Sequence, residues 1–347
     1  MQNFCSKCFV GERGYTVYFG GSETSAFLDA YLPEYPADQW DKIDSRLYWM
    51  HESLFNAMVD YVTAHLEYAN IRAVRADKHD PLQGLDKLKP VQFFKEERDA
   101  HWIDDIITNR SIRTFYQPIV SFDGVESSII GYELLSRGTA RDGGLIPPVQ
   151  LFQAAKARDR LFALDRTCRL EAVRNAGGLD DGLIFINFLP TSIYNPVHCL
   201  QSTVEMVERT GVNPESIVFE VVESEEINNM NHLRSILAFY KKHGFRYALD
   251  DVGTGFNSLQ VLSELEPDVV KLALEFCRGV SKDKGKQRVA RAVARMTQEL
   301  NSRALAEGIE DRDDLECLRD LGYEWFQGYY FGKPEPQPLR VLPSRPA

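Results

Sequence analysis

Tyr247-Ala248-Leu249-Asp250-Asp251-Val252-Gly253-Thr254-Gly255 is the stretch from which the fold is read. A short apolar strand runs into two adjacent carboxylates, and a glycine-rich turn follows at once. Neighbouring strand residues point to opposite faces, so two acids in a strand interior would leave at least one buried and unpaired. Where the strand ends and the backbone turns, both can reach one space. Two adjacent anions there need a cation, and a divalent metal is the usual one. Standing alone, the pair reads as a helix N-cap with a spare charge. The flanking sequence changes that.

From Arg113 onward, apolar runs of strand length alternate with helical stretches. The runs are 114–120, 129–135, 183–188, 217–222, 247–249, 269–272, 304–306 and 325–331, with helical patterns at 148–157, 165–176, 231–243, 287–300 and 312–321. Such an alternation over roughly 240 residues predicts a (β/α)₈ barrel of the TIM type, with a doubly wound open sheet as the other solution. A barrel gathers its polar groups at the carboxyl ends of its strands. Successive runs here carry Glu133, Asn187, Glu220, Asp250 with Asp251, Lys271, Glu307 and Gln327. A lone Asn or Gln is more simply a satisfied buried amide, but seven strands acting in concert point to one shared site. Converging acids repel without cations, so the set favours two metal ions holding and activating a water between them. Lys271 suits a place near that water or on a phosphoryl oxygen.

The remainder bounds the class. At 347 residues the chain has room for two domains, one of barrel size. A net charge of -11 argues against a DNA partner, since polyanion binders carry a basic face, but leaves open a small anionic ligand held through metal ions. No apolar run is long enough to span a bilayer, and residues 1–10 lack the pattern of a secretory signal. The six cysteines are mostly scattered singly, as free thiols in a reducing cytosol would be, so a cytoplasmic location is expected.

Residues 1–90 read as a small α/β domain, regulatory or sensory, with strands near 16–19, 47–50 and 71–74 and helices at 25–32 and 53–68. Leu54, Phe55, Met58, Val62 and Leu66 mark the apolar face of the second helix. Cys5 and Cys8 form a CxxC pair with no second pair at zinc spacing, so metal, redox and plain thiol roles stay open. His51, His65 and His79 form no ligand pattern. Asp80-Pro81 and Lys89-Pro90 punctuate a linker, a connecting helix is expected within 91–110, and the barrel occupies 111–342.

With these residues in view, the barrel segment resembles an EAL domain, the family of cyclic di-GMP phosphodiesterases. The resemblance rests on Tyr132-Glu133-Leu134-Leu135-Ser136-Arg137, Phe185-Ile186-Asn187, Phe219-Glu220-Val221-Val222-Glu223-Ser224, the Asp250-Asp251 stretch, Lys271, Ala306-Glu307-Gly308-Ile309-Glu310 and Gln327-Gly328-Tyr329. It implies that Glu133, Asn187, Glu220 and Asp250 hold one divalent ion, with Asp250, Asp251 and Glu307 around a second; Mg²⁺ or Mn²⁺ suits such oxygen-rich donors. It makes Lys271, Glu133 and Glu307 catalytic. Arg137 would contact a ligand phosphate (a surface salt bridge is the plainer alternative), and Leu135, Gln327 and Asp251 would line the substrate. Glu223 and Glu310 would support the loop at 252–258, which in the family also belongs to a homodimer contact. The implied reaction is water attack on one phosphodiester of cyclic di-GMP, giving linear pGpG.

Three positions depart from the family pattern. Leu134 replaces an alanine and alters only the packing of the wall. In Lys271-Leu272-Ala273, the family usually has an aspartate where Ala273 stands, on the face of the strand that carries Lys271. Ala273 supplies neither charge nor hydrogen bond, so turnover could be slowed while ligand binding survives. Val252, where the family often has Phe, is a milder change. The alternative to an enzyme is therefore a catalytically weak or inactive receptor for cyclic di-GMP.

Overall fold

The computed structural model describes residues 13–20, 28, 30–179, 182–221, 230–254 and 259–342. Cys5, Cys8, Glu223, half of the expected 25–32 helix and the end of the 252–258 loop lie outside them. The chain divides into two compact units, Met1–Trp102 and Ile103–Ala347.

The first unit is built on an antiparallel sheet of β1 Arg13–Phe19, β2 Trp40–Asp44, β3 Leu47–His51, β4 Ile71–Asp77 and β5 Lys89–Pro90, in the order β2-β3-β1-β4-β5. The helix Glu52–His65 buries Leu54, Phe55, Met58, Val59 and Val62 in a core shared with Val17, Phe19 and Ala73 of the sheet. Lys89-Pro90, expected in a linker, instead pairs with Ala73 and Arg72 as an edge strand, where a missing N–H can face away from the ladder. The expected connecting helix is two helices, Val91–Asp99 and Trp102–Asn109, interrupted at Ala100 and His101. Val91 and Phe94 of the first of these belong to the same core as the sheet.

In the second unit eight strands close into a barrel: β6 Ile112–Phe122, β7 Ser127–Thr139, β9 Leu183–Phe188, β10 Ile217–Val221, β11 Arg246–Val252, β12 Val269–Leu272, β13 Arg303–Ala306 and β14 Trp325–Gln327. The short β8, Leu145–Ile146, pairs on the outside of β7. Helices such as Leu161–Ala176, Gln201–Thr210, Met230–Lys242, Lys284–Glu299 and Arg312–Asp320 carry the chain between parallel neighbours.

One strand departs from the all-parallel expectation: β6 is antiparallel to both β7 and β14. Only four residues separate β6 from β7, too few for a crossover helix, so the pair must be a hairpin. Asp123-Gly124 makes the turn. Asp123 Oδ1 accepts from the N–H groups of Val125 and Glu126, both at 2.8 Å, and Gly124 takes φ +103°. The run expected at 325–331 is strand only to Gln327, after which the backbone turns.

The barrel layers explain where the polar groups end up. Ile119, Phe185, Val218, Ala248, Val269 and Leu305 form one apolar cluster contributed by six different strands. Two residues further along five of those strands, on the same face, stand Asn187, Glu220, Asp250, Lys271 and Glu307. On the reversed β6 the offset runs the other way and places Gln117. An apolar plug thus fills the lumen, and a polar layer sits on it at the strand ends.

Candidate active site

Lys271 is the hub of that layer. Its side chain is 1% exposed, and Nζ lies 2.8 Å from Glu220 Oε1, 3.0 Å from Asp250 Oδ1, 3.4 Å from Glu307 Oε2 and 3.9 Å from Glu133 Oε2. One ammonium therefore faces four carboxylates. Burial pulls the Lys271 pKa down, but the surrounding acids outweigh it and hold the group well above its ordinary value. Burial first, and neighbouring carboxylates after it, push the Glu220 and Glu307 carboxyls well above the usual range against the pull of Lys271. The layer sets four carboxyl groups against one cation, so ionising all of them would leave negative charge that Lys271 alone does not balance.

An amide network holds the rim. Asn187 Nδ2 donates to Glu133 Oε1 at 2.7 Å, and Gln327 Nε2 donates to Glu133 Oε2 at 2.6 Å and to Gln117 Oε1 at 3.1 Å. Glu133 is fixed in this way from both sides. Gln117, on β6, is the member that sequence reasoning missed. Its signal is a lone polar residue between Tyr116 and the apolar Pro118-Ile119-Val120, and it makes every strand of the barrel a contributor.

The adjacent acids reach one space through a backbone irregularity. The β11–β12 register shifts between Leu249 and Val252, and Asp251 adopts φ +51°, a left-handed conformation that Asp tolerates better than most side chains. As a result Asp250, Asp251 and Glu307 each offer a carboxylate oxygen, all within 4.8 Å of one another. The buried atoms Glu220 Oε2, Glu307 Oε1 and Gln327 Oε1 have no hydrogen-bond donor among the described residues. Unpaired carboxyl oxygens in a buried layer with four carboxyl groups to one ammonium are what a site for hard divalent cations requires, so these residues fit such ions.

Other expected residues fall at varying distance from the hub. Leu135 and Arg137 are half-buried and share the Glu133 face of β7. Arg137 lies 5.5 Å from the centre of the Phe115 ring and donates to Ser136 O at 2.9 Å. Glu310 forms an exposed ion pair with Arg278 rather than joining the acids. Ala273 is 2% exposed, and its N–H donates to Val252 O at 3.2 Å, at the start of the short helix Leu274–Cys277.

Residues 100–334 match the model of the EAL domain. The chain belongs to the EAL-domain family. Among curated proteins it is similar to the probable cyclic di-GMP phosphodiesterase PdeG of Escherichia coli K12, 32% identical over 236 residues. That match covers 66% of this chain and 45% of PdeG, so the chain spans less than half the length of that relative. Among solved EAL structures, a standalone versatile EAL protein from Vibrio cholerae O395, in its c-di-GMP bound form, is 31% identical with a TM-score of 0.59. The likeness covers 67% of this chain and 95% of that one. Klebsiella pneumoniae BlrP1, in a calcium and cyclic di-GMP complex, is 18% identical with a TM-score of 0.59, a likeness of fold alone that extends over 93% of this chain and 96% of that one.

Proposed function

We propose that this EAL domain is a metal-dependent phosphodiesterase that opens one phosphodiester of cyclic di-GMP to give linear pGpG. The observation that carries the proposal is the convergence of four carboxyl groups, those of Glu133, Glu220, Asp250 and Glu307, on the single ammonium of Lys271. The ligand named for PdeG and for the Vibrio protein is carried over to this chain within the same proposal.

Glu133, Asn187, Glu220 and Asp250 would hold one Mg²⁺ or Mn²⁺, and Asp250, Asp251 and Glu307 a second. When bound, such ions supply an activated water and offset charge on the phosphodiester. Asn187 spends its amide N–H on Glu133, so its carbonyl oxygen is the atom left to offer. Gln327 fixes the other oxygen of Glu133 and keeps that carboxylate in register. Lys271, once the acids around it are neutralised, can donate to the attacking water or to a phosphoryl oxygen. Arg137, Leu135 and Asp251 would line the dinucleotide, and Glu223 with Glu310 would support the loop at 252–258. Regulation through residues 1–90, association of two copies through the barrel and a cytoplasmic location complete the proposal. No helix among the described residues is long and apolar enough to cross a membrane.

A second reading, a receptor that binds cyclic di-GMP without turnover, is favoured by Ala273 alone. Incubation of the full chain with cyclic di-GMP and Mn²⁺, followed by chromatography, separates the two. Formation of pGpG supports the enzyme; tight binding with no product over hours supports the receptor.

A further inference from the structure

Outside the strand-end layer, Asp165 and Arg169 face each other one turn apart on the Leu161–Ala176 helix. Asp165 Oδ2 and Arg169 Nη1 are 2.5 Å apart, with side chains 3% and 0% exposed. A charge pair withdrawn so fully from water is costly unless further hydrogen bonds satisfy it. Here they satisfy the carboxylate, while Arg169 Nη2 has no hydrogen-bond partner among the described residues. Two of the completing bonds go to one place. Leu189 N donates to Asp165 Oδ1 at 2.9 Å, and the Ser192 hydroxyl, with one proton to give, lies 3.0 Å from Asp165 Oδ2 and 2.8 Å from Leu189 O. Arg169 Nε donates to Thr203 Oγ1 at 3.0 Å, which anchors the cation of the pair on the Gln201–Thr210 helix.

Leu189 is the first residue beyond β9 and stands two residues past Asn187, while Ser192 closes the helical turn Pro190–Ser192 that follows. The intervening Phe188 is buried edge-on against the stacked pair Phe219 and Tyr240, at centroid distances of 6.3 and 5.3 Å. The backbone leaving Asn187 is therefore fastened to a neighbouring helix through a single carboxylate. If that fastening loosens, the strand end tilts and the Asn187 amide shifts against Glu133 Oε1, now 2.7 Å away.

We propose that Asp165, held by Arg169, is a positioning residue that sets the reach of Asn187 into the metal site. The inference rests on the reading of the strand-end layer as a divalent-metal centre. Groups that orient a ligand from behind contribute about ten- to a hundredfold in metal affinity.

The test is Mn²⁺ affinity of the full chain, followed by electron paramagnetic resonance of the free ion, in the native protein, Asp165→Asn, Asn187→Ala and the combination. Asp165→Asn should weaken Mn²⁺ binding about tenfold. The combined variant should be no weaker than Asn187→Ala alone, because Asp165 acts through Asn187. Unchanged affinity in Asp165→Asn, or losses that simply add, would overturn the proposal. Asp165→Asn leaves Arg169 with an uncompensated buried charge. If it does not fold, Asp165→Leu with Arg169→Met takes its place in the cycle, since removing both charges together often leaves stability unchanged. A native chain that binds no Mn²⁺ would instead remove the metal reading itself, and the positioning role with it.

Discussion

Lys271 on β12 reaches past the intervening β11 to Glu220 on β10, with Nζ and Oε1 2.8 Å apart and both side chains withdrawn from solvent. In the absence of metal, this ammonium is what holds the acid layer together. Lys271→Met should therefore destabilise the metal-free protein by about 3–5 kcal/mol, the range for breaking a buried pair on one side. Added Mn²⁺ should recover much of that loss. Thermal melts with EDTA and with Mn²⁺ check this; equal destabilisation in both would show that Lys271 is not standing in for cations.

The pH dependence of stability follows from the acids around that ammonium. The Glu220 and Glu307 carboxyls are held well above their ordinary value in the fold, by burial first and by neighbouring carboxylates. A group whose folded pKa is raised contributes stability that is present below the unfolded pKa and lost as pH rises through the folded one. The metal-free chain should therefore lose melting temperature as pH is raised from about 5 to about 8, and Mn²⁺ should flatten the slope. Melts across that window with and without EDTA report it. A melting temperature that rises with pH in EDTA would contradict the assignment.

Glu133 accepts hydrogen bonds from Asn187 and Gln327 on its two oxygens, so it ties both amides to the proposed metal site. Glu133→Ala should lower Mn²⁺-dependent formation of pGpG by at least about a hundredfold, or roughly 2.7 kcal/mol in the barrier. Retained activity, measured by chromatography, would refute its role as a ligand.

Ala273 precedes the Leu274–Cys277 helix with φ -54° and ψ 140°, an extended N-cap conformation in which Asp is a preferred residue. The backbone therefore accepts an acid at this position. Ala273→Asp should raise turnover with little change in affinity for cyclic di-GMP. An unchanged rate would show that this position is not the limiting defect.

Gly328 packs against the loop that carries Glu307. A Cβ there would lie 2.1 Å from Ile309 O and 2.3 Å from Ile309 N, both backbone atoms. Ile309 N also donates to Gln327 O at 3.0 Å, so the two loops are joined at this point. Gly328→Ala should force them apart, lowering the melting temperature and weakening Mn²⁺ binding together. A variant with native values of both would show that the close approach is dispensable.

The barrel was legible because its strands are short apolar runs, each carrying one polar residue near its end, and that pattern alone placed Asn187, Glu220, Lys271 and Gln327. The reversal of β6 was harder to read, since an antiparallel strand and a parallel one share the same alternation. The Asp123-Gly124 turn, four residues between two runs, was the available signal. Gln117 escaped for the same reason, because on a reversed strand the polar residue precedes its apolar partner Ile119. The convergence of Asp250 and Asp251 was expected from the turn, but its cause, a bulge with Asp251 in the left-handed region, is a backbone property that residue types do not specify. Edge strands such as β2, with its sequence Trp40-Asp-Lys-Ile-Asp, carry too little apolar pattern to separate from a loop.

The most direct measurement is anomalous scattering from crystals of the full chain grown with Mn²⁺ and cyclic di-GMP. Two metal peaks are predicted within the ring formed by Glu133, Asn187, Glu220, Asp250, Asp251 and Glu307, with a phosphate of the dinucleotide beside them. Density for the ligand with no metal among these side chains, or metal bound only elsewhere, would contradict the account.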